Sequence, residues 1–267
     1  MRSGVNVTVS LISHGHGSDV LVLLRELGEL GALGAKHPSA LRRVVLTLNC
    51  PEPALLAQVR QQTFPFELVL CENDRPVGFG ANHNRAFARD ASMGASQAFA
   101  VFNPDLRLRG DPIASMVKAL QERPSVGAVY PRQVDSAGAP SDSERLVPSP
   151  RRLLARYLGT KPRPPEVPSG GTPDWVNAAC LLVRREAYEQ IGGFDERYHM
   201  YCEDVDFCLR LQLAGWALVR AEDTWIEHAA QRASHRKIRH LVWHLSSLGR
   251  LWRSEVYRDW MSRRDKR

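Results

Sequence analysis

Between Gly192 and Gly215 the chain reads GGFDERYHMYCEDVDFCLRLQLAG, which gathers Asp195, Glu196, Glu203, Asp204 and Asp206. The last three open a helical pattern whose other face is Val205, Phe207, Leu209 and Leu213. Carboxylates at a helix N-terminus are favoured by the macrodipole, and Asp206 with Arg210 is an i,i+4 pair that a helix surface explains by itself. Glu203 and Asp204 ask for more. Adjacent acids repel, and Tyr198, Tyr201 and Phe207 would partly remove them from water, which lifts a carboxylate pKa toward the range of a general base. Another acid, Asp105, stands in Asn103-Pro104-Asp105 where the apolar run 97–102 stops. Ligands of open α/β sheets bind beyond the carboxyl ends of strands, and an Asp there suits a divalent cation that bridges phosphates. An Asx turn closed by Pro104 accounts for the same three residues.

The elements that must position these groups alternate. Over the first 130 residues, short β-branched runs are followed by polar turns and helical stretches, which predicts βαβα units and a mostly parallel sheet. Strands are expected at 5–12, 43–48, 66–71, 97–102 and 126–130. Helices are expected at 19–30 behind a Ser18/Asp19 cap, at 53–62, from Asn82 onward and at 111–123. Gly78 and Gly80 read as a tight turn. From 134 to 173 the pattern dissolves: eight of the 17 prolines fall there, and a loop of that length is commonly a lid or disordered. One short helical piece is expected at 151–158. Regular structure resumes at 174–176, with a strand at 179–184, a helix at 185–191, the Gly192-Gly193 break, a helix at 203–214 and strands at 216–220 and 224–227.

The segments VTVSLISHGH, GFGANHNRAF, VFNPDLRL, DWVNAACLLVRREAYEQIGGFDERYHMYCEDVDFCLRLQLAGW and the later His228 stand in the order and spacing of glycosyltransferase family 2. The chain resembles in particular the bacterial rhamnosyltransferases that act on lipid-linked O-antigen and cell-wall intermediates. The resemblance spans about residues 5–230. It implies a GT-A fold, an α/β architecture with a Rossmann-like, mostly parallel sheet flanked by helices. It also implies an inverting displacement on a nucleotide-diphosphate sugar: an acceptor hydroxyl, deprotonated by a base, attacks the anomeric carbon while Mg²⁺ or Mn²⁺ stabilises the leaving diphosphate.

By position in that family, Asp204 matches the base and Glu203 its neighbour. Asp105 matches the last residue of the D-x-D metal motif, and His228 a histidine that reaches the metal or diphosphate. Ser10, Ile12, Ser13, His14 and His16, at the exit of the first strand, match the segment that wraps the nucleotide. Gly78, Phe79, Gly80 and Asn84 match one that contacts base and ribose, and Trp175 and Ala178 a strand and turn flanking donor sugar and acceptor. Two positions depart from the family. Asn103 replaces the first acid of D-x-D, which implies weaker metal binding. Leu48-Asn49 replaces the acid that reads a pyrimidine, leaving Asn49 part of that role.

The net charge of +7, from 36 Lys+Arg against 29 Asp+Glu, is unevenly placed. Residues 1–234, the expected GT-A domain, hold 26 of each sign, whereas the tail, 235–267, holds ten basic and three acidic residues. In the tail Ile238, Leu241, Val242, Leu245, Leu248, Leu251, Trp252 and Val256 share one helical face, with Arg236, Lys237, Arg239, Arg250, Arg253 and Arg258 beside or opposite it. A basic amphipathic helix of this kind is expected on a membrane surface, with Trp243, Trp252 and Trp260 at headgroup depth. Anionic headgroups and an undecaprenyl diphosphate acceptor would both attract it. A helix packed on the core with a solvated basic face fits the same pattern. No nucleic-acid motif accompanies the charge, so nucleic acid is not expected as a partner.

No apolar run approaches the ~18 to 20 residues that cross a bilayer, and MRSGVNVTVSLISHGHG lacks a signal-peptide pattern. The expected location is cytoplasmic, peripheral to the inner face of the plasma membrane. Five cysteines without a C-x-x-C pair read as buried free thiols. The expected activity is transfer of L-rhamnose from dTDP-L-rhamnose to a lipid-linked saccharide. Use of a UDP-hexose is the alternative within the fold. A non-catalytic nucleotide-sugar-binding relative is the alternative outside enzymes, and Glu203, Asp204 and Asp105 argue against it.

Overall fold

Four β-branched and leucine-rich runs, β1 (Val7–Ser13), β2 (Leu41–Leu48), β3 (Glu67–Glu72) and β4 (Ala98–Phe102), lie parallel in the order β3-β2-β1-β4. Their connections are α1 (Gly17–Leu33), α2 (Pro53–Arg60) and α3 (Phe79–Ser92). Then follow β5 (Leu106–Arg109), α4 (Pro112–Glu122), β6 (Val126–Val134), β7 (Glu144–Arg145), β8 (Trp175–Val176), β9 (Cys180–Arg184), α5 (Arg185–Gln190), α6 (Glu203–Leu213), β10 (Ala217–His228), α7 (Ile238–Arg253) and α8 (Glu255–Arg264). The computed structural model describes residues 4–33, 40–150, 152, 167, 171–228 and 238–264. Among them, eight strands form one mixed sheet, β3-β2-β1-β4-β9-β6-β10-β5, with β9 antiparallel to both neighbours and β5 antiparallel to β10; β7 and β8 pair separately.

Several boundaries differ from the sequence reading. The strand at 126–130 is the sixth, because LRLR at 106–109 forms a short edge strand whose Leu106 and Leu108 are buried between partly or fully exposed arginines. The two strands expected at 216–220 and 224–227 are one, β10, interrupted by a register shift between Ala221 and Trp225. Helix α3 starts at Phe79 with Gly78 as its N-cap, three residues before Asn82. Gly80 therefore lies in the helix rather than in a turn. A Cβ there would stand 2.6 Å from Cβ of Phe194, and one at Gly78 would stand 2.7 Å from the His199 carbonyl oxygen, so both glycines serve close approach. Within 134–173, β7 is ordered against β8; the helical piece expected at 151–158 lies outside the described residues apart from Arg152.

The core has two layers, one on each face of the sheet. Val20, Leu23, Leu24 and Leu27 of α1 pack with Met116 and Leu120 of α4 on one face. Tyr188, Phe207, Leu209 and the tail residues Leu248 and Leu251 pack on the other. A buried polar hub ties β1, β2, α3 and α5 together: Asp90 pairs with Arg43 and Arg185 and accepts from the Thr8 hydroxyl (2.6 Å) and the Ser96 N–H (3.0 Å). Arg43 is only 1 % exposed, so loss of Asp90 would strand a buried charge.

The tail is two helices. Ser254 ends α7, and its hydroxyl accepts from the Tyr257 N–H at 3.1 Å, capping α8. Trp252 donates its indole N–H to the Pro148 carbonyl (2.8 Å), Trp243 packs on His199 with ring centroids 4.8 Å apart, and Trp260 packs on the second core layer. The three tryptophans expected at headgroup depth thus engage the domain, and Leu241, Val242 and Leu245 remain as the exposed apolar residues of α7. No helix among the described residues is long and apolar enough to cross a membrane.

Candidate active site

Parallel strands end on one edge, and that edge collects the polar groups. His14 and His16 follow β1, Asn49 follows β2, Asn73 follows β3, Asn103 and Asp105 follow β4, and His228 ends β10. The antiparallel pairing of β10 with β5 sets His228 opposite Leu106, one residue past Asp105. As a result His228 Nε2 lies 3.4 Å from Asp105 Oδ1. Burial raises the Asp105 carboxyl, but the hydrogen bond and charge of His228, with a contribution from His16, hold it below its ordinary value.

A carboxylate beside an imidazole on a ligand-binding edge suits a divalent cation as part of its shell, with the remaining positions left to substrate oxygens. Among the described residues no group of three or more His, Cys, Asp and Glu side chains is arranged to hold a metal. Asp105 and His228 are a set of two such side chains, short of the three that would hold a cation without substrate.

The Glu203–Asp204 pair sits at the head of α6 behind an unusual turn. Tyr201 and Cys202 both have left-handed backbones, with φ of 71° and 64°. Such conformations cost about 1 to 3 kcal/mol each for non-glycine residues, and they persist only where the surroundings impose them. The surroundings here are the tail and the glycine turn. Tyr201 Oη is 2.9 Å from His240 Nδ1, and the Ser247 hydroxyl donates to the Met200 carbonyl at 2.9 Å. Arg210 donates to the Ile191 and Gly193 carbonyls at 2.6 and 2.7 Å and to Asp206 at 2.7 Å, so the Asp206–Arg210 pair is a clamp on the glycine turn.

Glu203 is buried and its Oε2 has no hydrogen-bond partner. Burial, then the adjacent Asp204 charge, push its pKa well above the ordinary value. Asp204 is half-buried; burial raises it to about 6, opposed by the Val205 N–H at 2.8 Å and by the charge of Arg145. The pair thus offers a buried acid whose pKa is raised and, beside it, a carboxylate that ionises just below physiological pH, the condition suited to a general base.

The other expected site residues divide into two groups. Ile12, Ser13, His14 and His16 reach the strand edge, where the Ser13 hydroxyl accepts from the His16 N–H at 3.3 Å. Asn49 is there too, but Asn73 donates to its Oδ1 at 2.9 Å, the Val77 N–H donates to it at 2.9 Å, and its own N–H group donates to the Val77 carbonyl at 3.1 Å. Its amide shapes the 73–78 loop. Trp175 donates to the Leu146 carbonyl at 3.0 Å and lies under the Arg145 guanidinium, while the buried Ala178 precedes the Ala179 carbonyl that accepts from the Asn103 N–H at 2.8 Å. That bond joins the Asp105 turn to the start of β9, and the contact of the Cys208 thiol with the Val176 carbonyl, at 3.7 Å, joins β8 to α6.

Ser10 and the glycine-helix residues lie deeper. Ser10 is within β1, its hydroxyl 2.8 Å from Nδ1 of His83, a histidine that burial pushes down to about 3 and so keeps neutral. Phe79 packs edge-on to His83 and Phe194. Asn84 accepts from the Tyr188 hydroxyl (2.7 Å) and the Phe194 N–H (2.9 Å) and donates to the Phe194 carbonyl and to Glu196. All of its amide valences hold the loop that leads to Glu203. Arg145, Asn73 and His240 were not singled out by sequence, and Tyr201 was read only as an aromatic neighbour of the two acids: Arg145 stands in a proline-rich run with no pattern, and a positive φ at tyrosine leaves no mark in composition.

Solved structures with the same arrangement settle the fold. A mannosyltransferase of Pyrobaculum calidifontis, solved with GDP-Man and Mn²⁺, superposes with a TM-score of 0.60 over 93 % of this chain and 65 % of that one, at 19 % identity. The first 349 residues of Staphylococcus aureus TarS give 0.59 over 84 % of this chain and 60 % of that one, at 14 % identity. The chain has the GT-A glycosyltransferase fold. Its sequence relatives carry a narrower name. The N-acetylglucosaminyl-diphospho-decaprenol L-rhamnosyltransferase of Mycobacterium tuberculosis is 33 % identical over 193 residues, 60 % of this chain and 62 % of that protein. The chain therefore spans less than two thirds of the mycobacterial relative's length. Rhamnosyltransferase WbbL of Escherichia coli K12 is 27 % identical over 253 residues, 90 % of each chain. No protein-family model matches the chain.

Proposed function

We propose that this GT-A protein is an inverting glycosyltransferase that moves L-rhamnose from dTDP-L-rhamnose to a saccharide carried on a polyprenyl diphosphate, with undecaprenyl as the lipid. The observation that carries the reading is the Glu203–Asp204 pair, held on a left-handed turn with the buried Glu203 carboxyl pushed well above its ordinary value and Asp204 raised to about 6. Asp204 takes the proton of the acceptor hydroxyl as that oxygen attacks the anomeric carbon, and the diphosphate leaves from the opposite side. Burial disfavours the charged form of Glu203, which limits the negative charge beside Asp204.

Asp105 and His228 would hold Mg²⁺ or Mn²⁺, and the cation would offset the charge of the leaving diphosphate. The two-ligand set, an oxygen and a nitrogen, favours Mn²⁺ over the strictly oxygen-seeking Mg²⁺. Ile12 to His16 line the nucleotide, Asn49 holds the loop beside its base, and Trp175 and Ala178 flank donor sugar and acceptor. The choice of rhamnose is supported by the names of both relatives and that of a polyprenyl-diphosphate acceptor by the mycobacterial one, and the tail is proposed to keep the enzyme at the inner face of the plasma membrane.

A panel of nucleotide sugars, assayed with a polyprenyl-diphosphate-linked N-acetylglucosamine acceptor, tests the reading. Transfer from dTDP-L-rhamnose well above the other donors is expected; transfer from UDP-hexoses alone would assign a different sugar to the same fold.

A further inference from the structure

Away from the strand edge, the tail and the loop before α6 enclose an open groove of about 710 Å³ lined by Arg197, Arg250, Arg253, Arg258, Ser246 and Ser254. Arg197 belongs to the segment that leads to Glu203, and the other three arginines belong to α7 and α8. Two acids meet this cluster. Asp195 holds Arg197 at 2.6 to 3.0 Å, and Glu255 lies 3.9 Å from Arg258. Arg250 lies 6.0 Å from the centroid of the Tyr198 ring, and Arg253 donates to the Gly249 carbonyl at 3.0 Å. Four guanidiniums against two carboxylates leave the groove positive, and all four arginines are exposed.

The same helix carries the largest exposed apolar residues of the tail. Leu241, Val242 and Leu245 are 49, 57 and 52 % exposed. At about 100° per residue, Val242, Ser246, Arg250 and Arg253 share one side of α7, opposite the buried Leu251, and the exposed Leu241 and Leu245 lie between that side and the buried Leu248. Apolar side chains continuous with a guanidinium cluster complement one chemistry in particular, an acyl boundary edged by phosphates. A purely solvated basic face would give no reason for three adjoining exposed aliphatic residues.

We propose that this groove is a binding site for the phosphates of anionic phospholipid headgroups, with Leu241, Val242 and Leu245 entering the acyl boundary beside it. The site is separate from the donor edge. It deepens the membrane attachment proposed above by naming the groups that make it, and it stands whichever sugar the enzyme transfers. Because Arg197 lies on the loop before the catalytic pair, headgroup binding also places the strained turn next to the surface where a lipid-linked acceptor resides.

The test uses the full chain, without donor or acceptor, in co-sedimentation with phosphatidylcholine vesicles with and without phosphatidylglycerol. The wild type is expected to bind the anionic vesicles and to release as salt is raised. The double substitution Arg250→Gln/Arg253→Gln should weaken that binding about tenfold or more, as expected for losing two surface cations at an anionic membrane, and Arg250→Lys/Arg253→Lys should largely restore it. Leu245→Ser should weaken it as well. Thermal melts check that each variant folds; should the double variant not fold, Arg258→Gln, whose side chain is 67 % exposed, serves in its place. Equal binding by wild type and glutamine variants, or binding to neutral vesicles as strong as to anionic ones, would overturn the proposal.

Discussion

His228 Nε2 lies 3.4 Å from Asp105 Oδ1 because antiparallel β10 and β5 place His228 opposite Leu106, the residue after Asp105. One strand pairing thus brings together the two residues proposed to hold the cation, 123 positions apart in sequence. EDTA is expected to abolish turnover, with Mn²⁺ or Mg²⁺ restoring it. His228→Ala should raise the metal concentration for half-maximal rate by about tenfold or more, no less than the loss of an outer-shell partner costs. A rate indifferent to EDTA would remove Asp105 and His228 from the mechanism.

The pair at the head of α6 has a pH signature. Asp204 must be ionised to accept a proton, and burial raises it to about 6, so turnover should climb through pH 6 and level off above it. Arg145 is the charged neighbour that matters, because it draws Asp204 down, while burial and the Asp204 charge raise Glu203. Arg145→Gln should move the acid limb to higher pH. Since the folded protein holds this proton more tightly than the unfolded chain, the stabilisation linked to it is full at low pH and is lost as pH rises through about 6. An acid limb that stays in place in Arg145→Gln would show that the guanidinium does not act on the base.

Tyr201 and His240 join the tail to the strained turn. Tyr201→Phe deletes the 2.9 Å hydrogen bond and should lower kcat several-fold with little change in donor KM, because it loosens the base without touching the donor. His240→Ala should do the same, and the double variant should be no worse than either single one, the mark of a shared interaction. Additive losses would mean that the two residues act separately.

Asn84 provides a stability test. Asn84→Ala leaves the Tyr188 hydroxyl and the Phe194 N–H without their acceptor, at a cost of about 2 to 4 kcal/mol for two buried groups, measurable by urea unfolding. Unchanged stability with lost nucleotide binding would return Asn84 to the base-and-ribose role that the sequence motif suggested.

The sequence was most informative where periodicity and end chemistry coincide. The apolar runs of β1, β2 and β4 and the acid-headed α6 were legible within a few residues, as was the turn at Asn103-Pro104-Asp105. Less legible were features made by distant contacts. LRLR is too short to announce a strand until β10 pairs with it, and GFGANHN reads as a ligand loop although Gly80 and Asn84 are occupied by Phe194. The tail's hydrophobic stripe could not say which of its residues face the domain. Leu248 and Leu251 do, and Leu241 and Leu245 do not.

The central claim is that Asp204 is the base, and Asp204→Asn tests it most directly because the amide keeps size and shape while losing the ability to take a proton. Donor affinity by calorimetry and turnover by product release should be measured on the same preparation. Turnover is expected to fall by ~10²-fold or more, the range typical of lost general-base catalysis, with donor affinity retained. Turnover close to wild type would contradict the account.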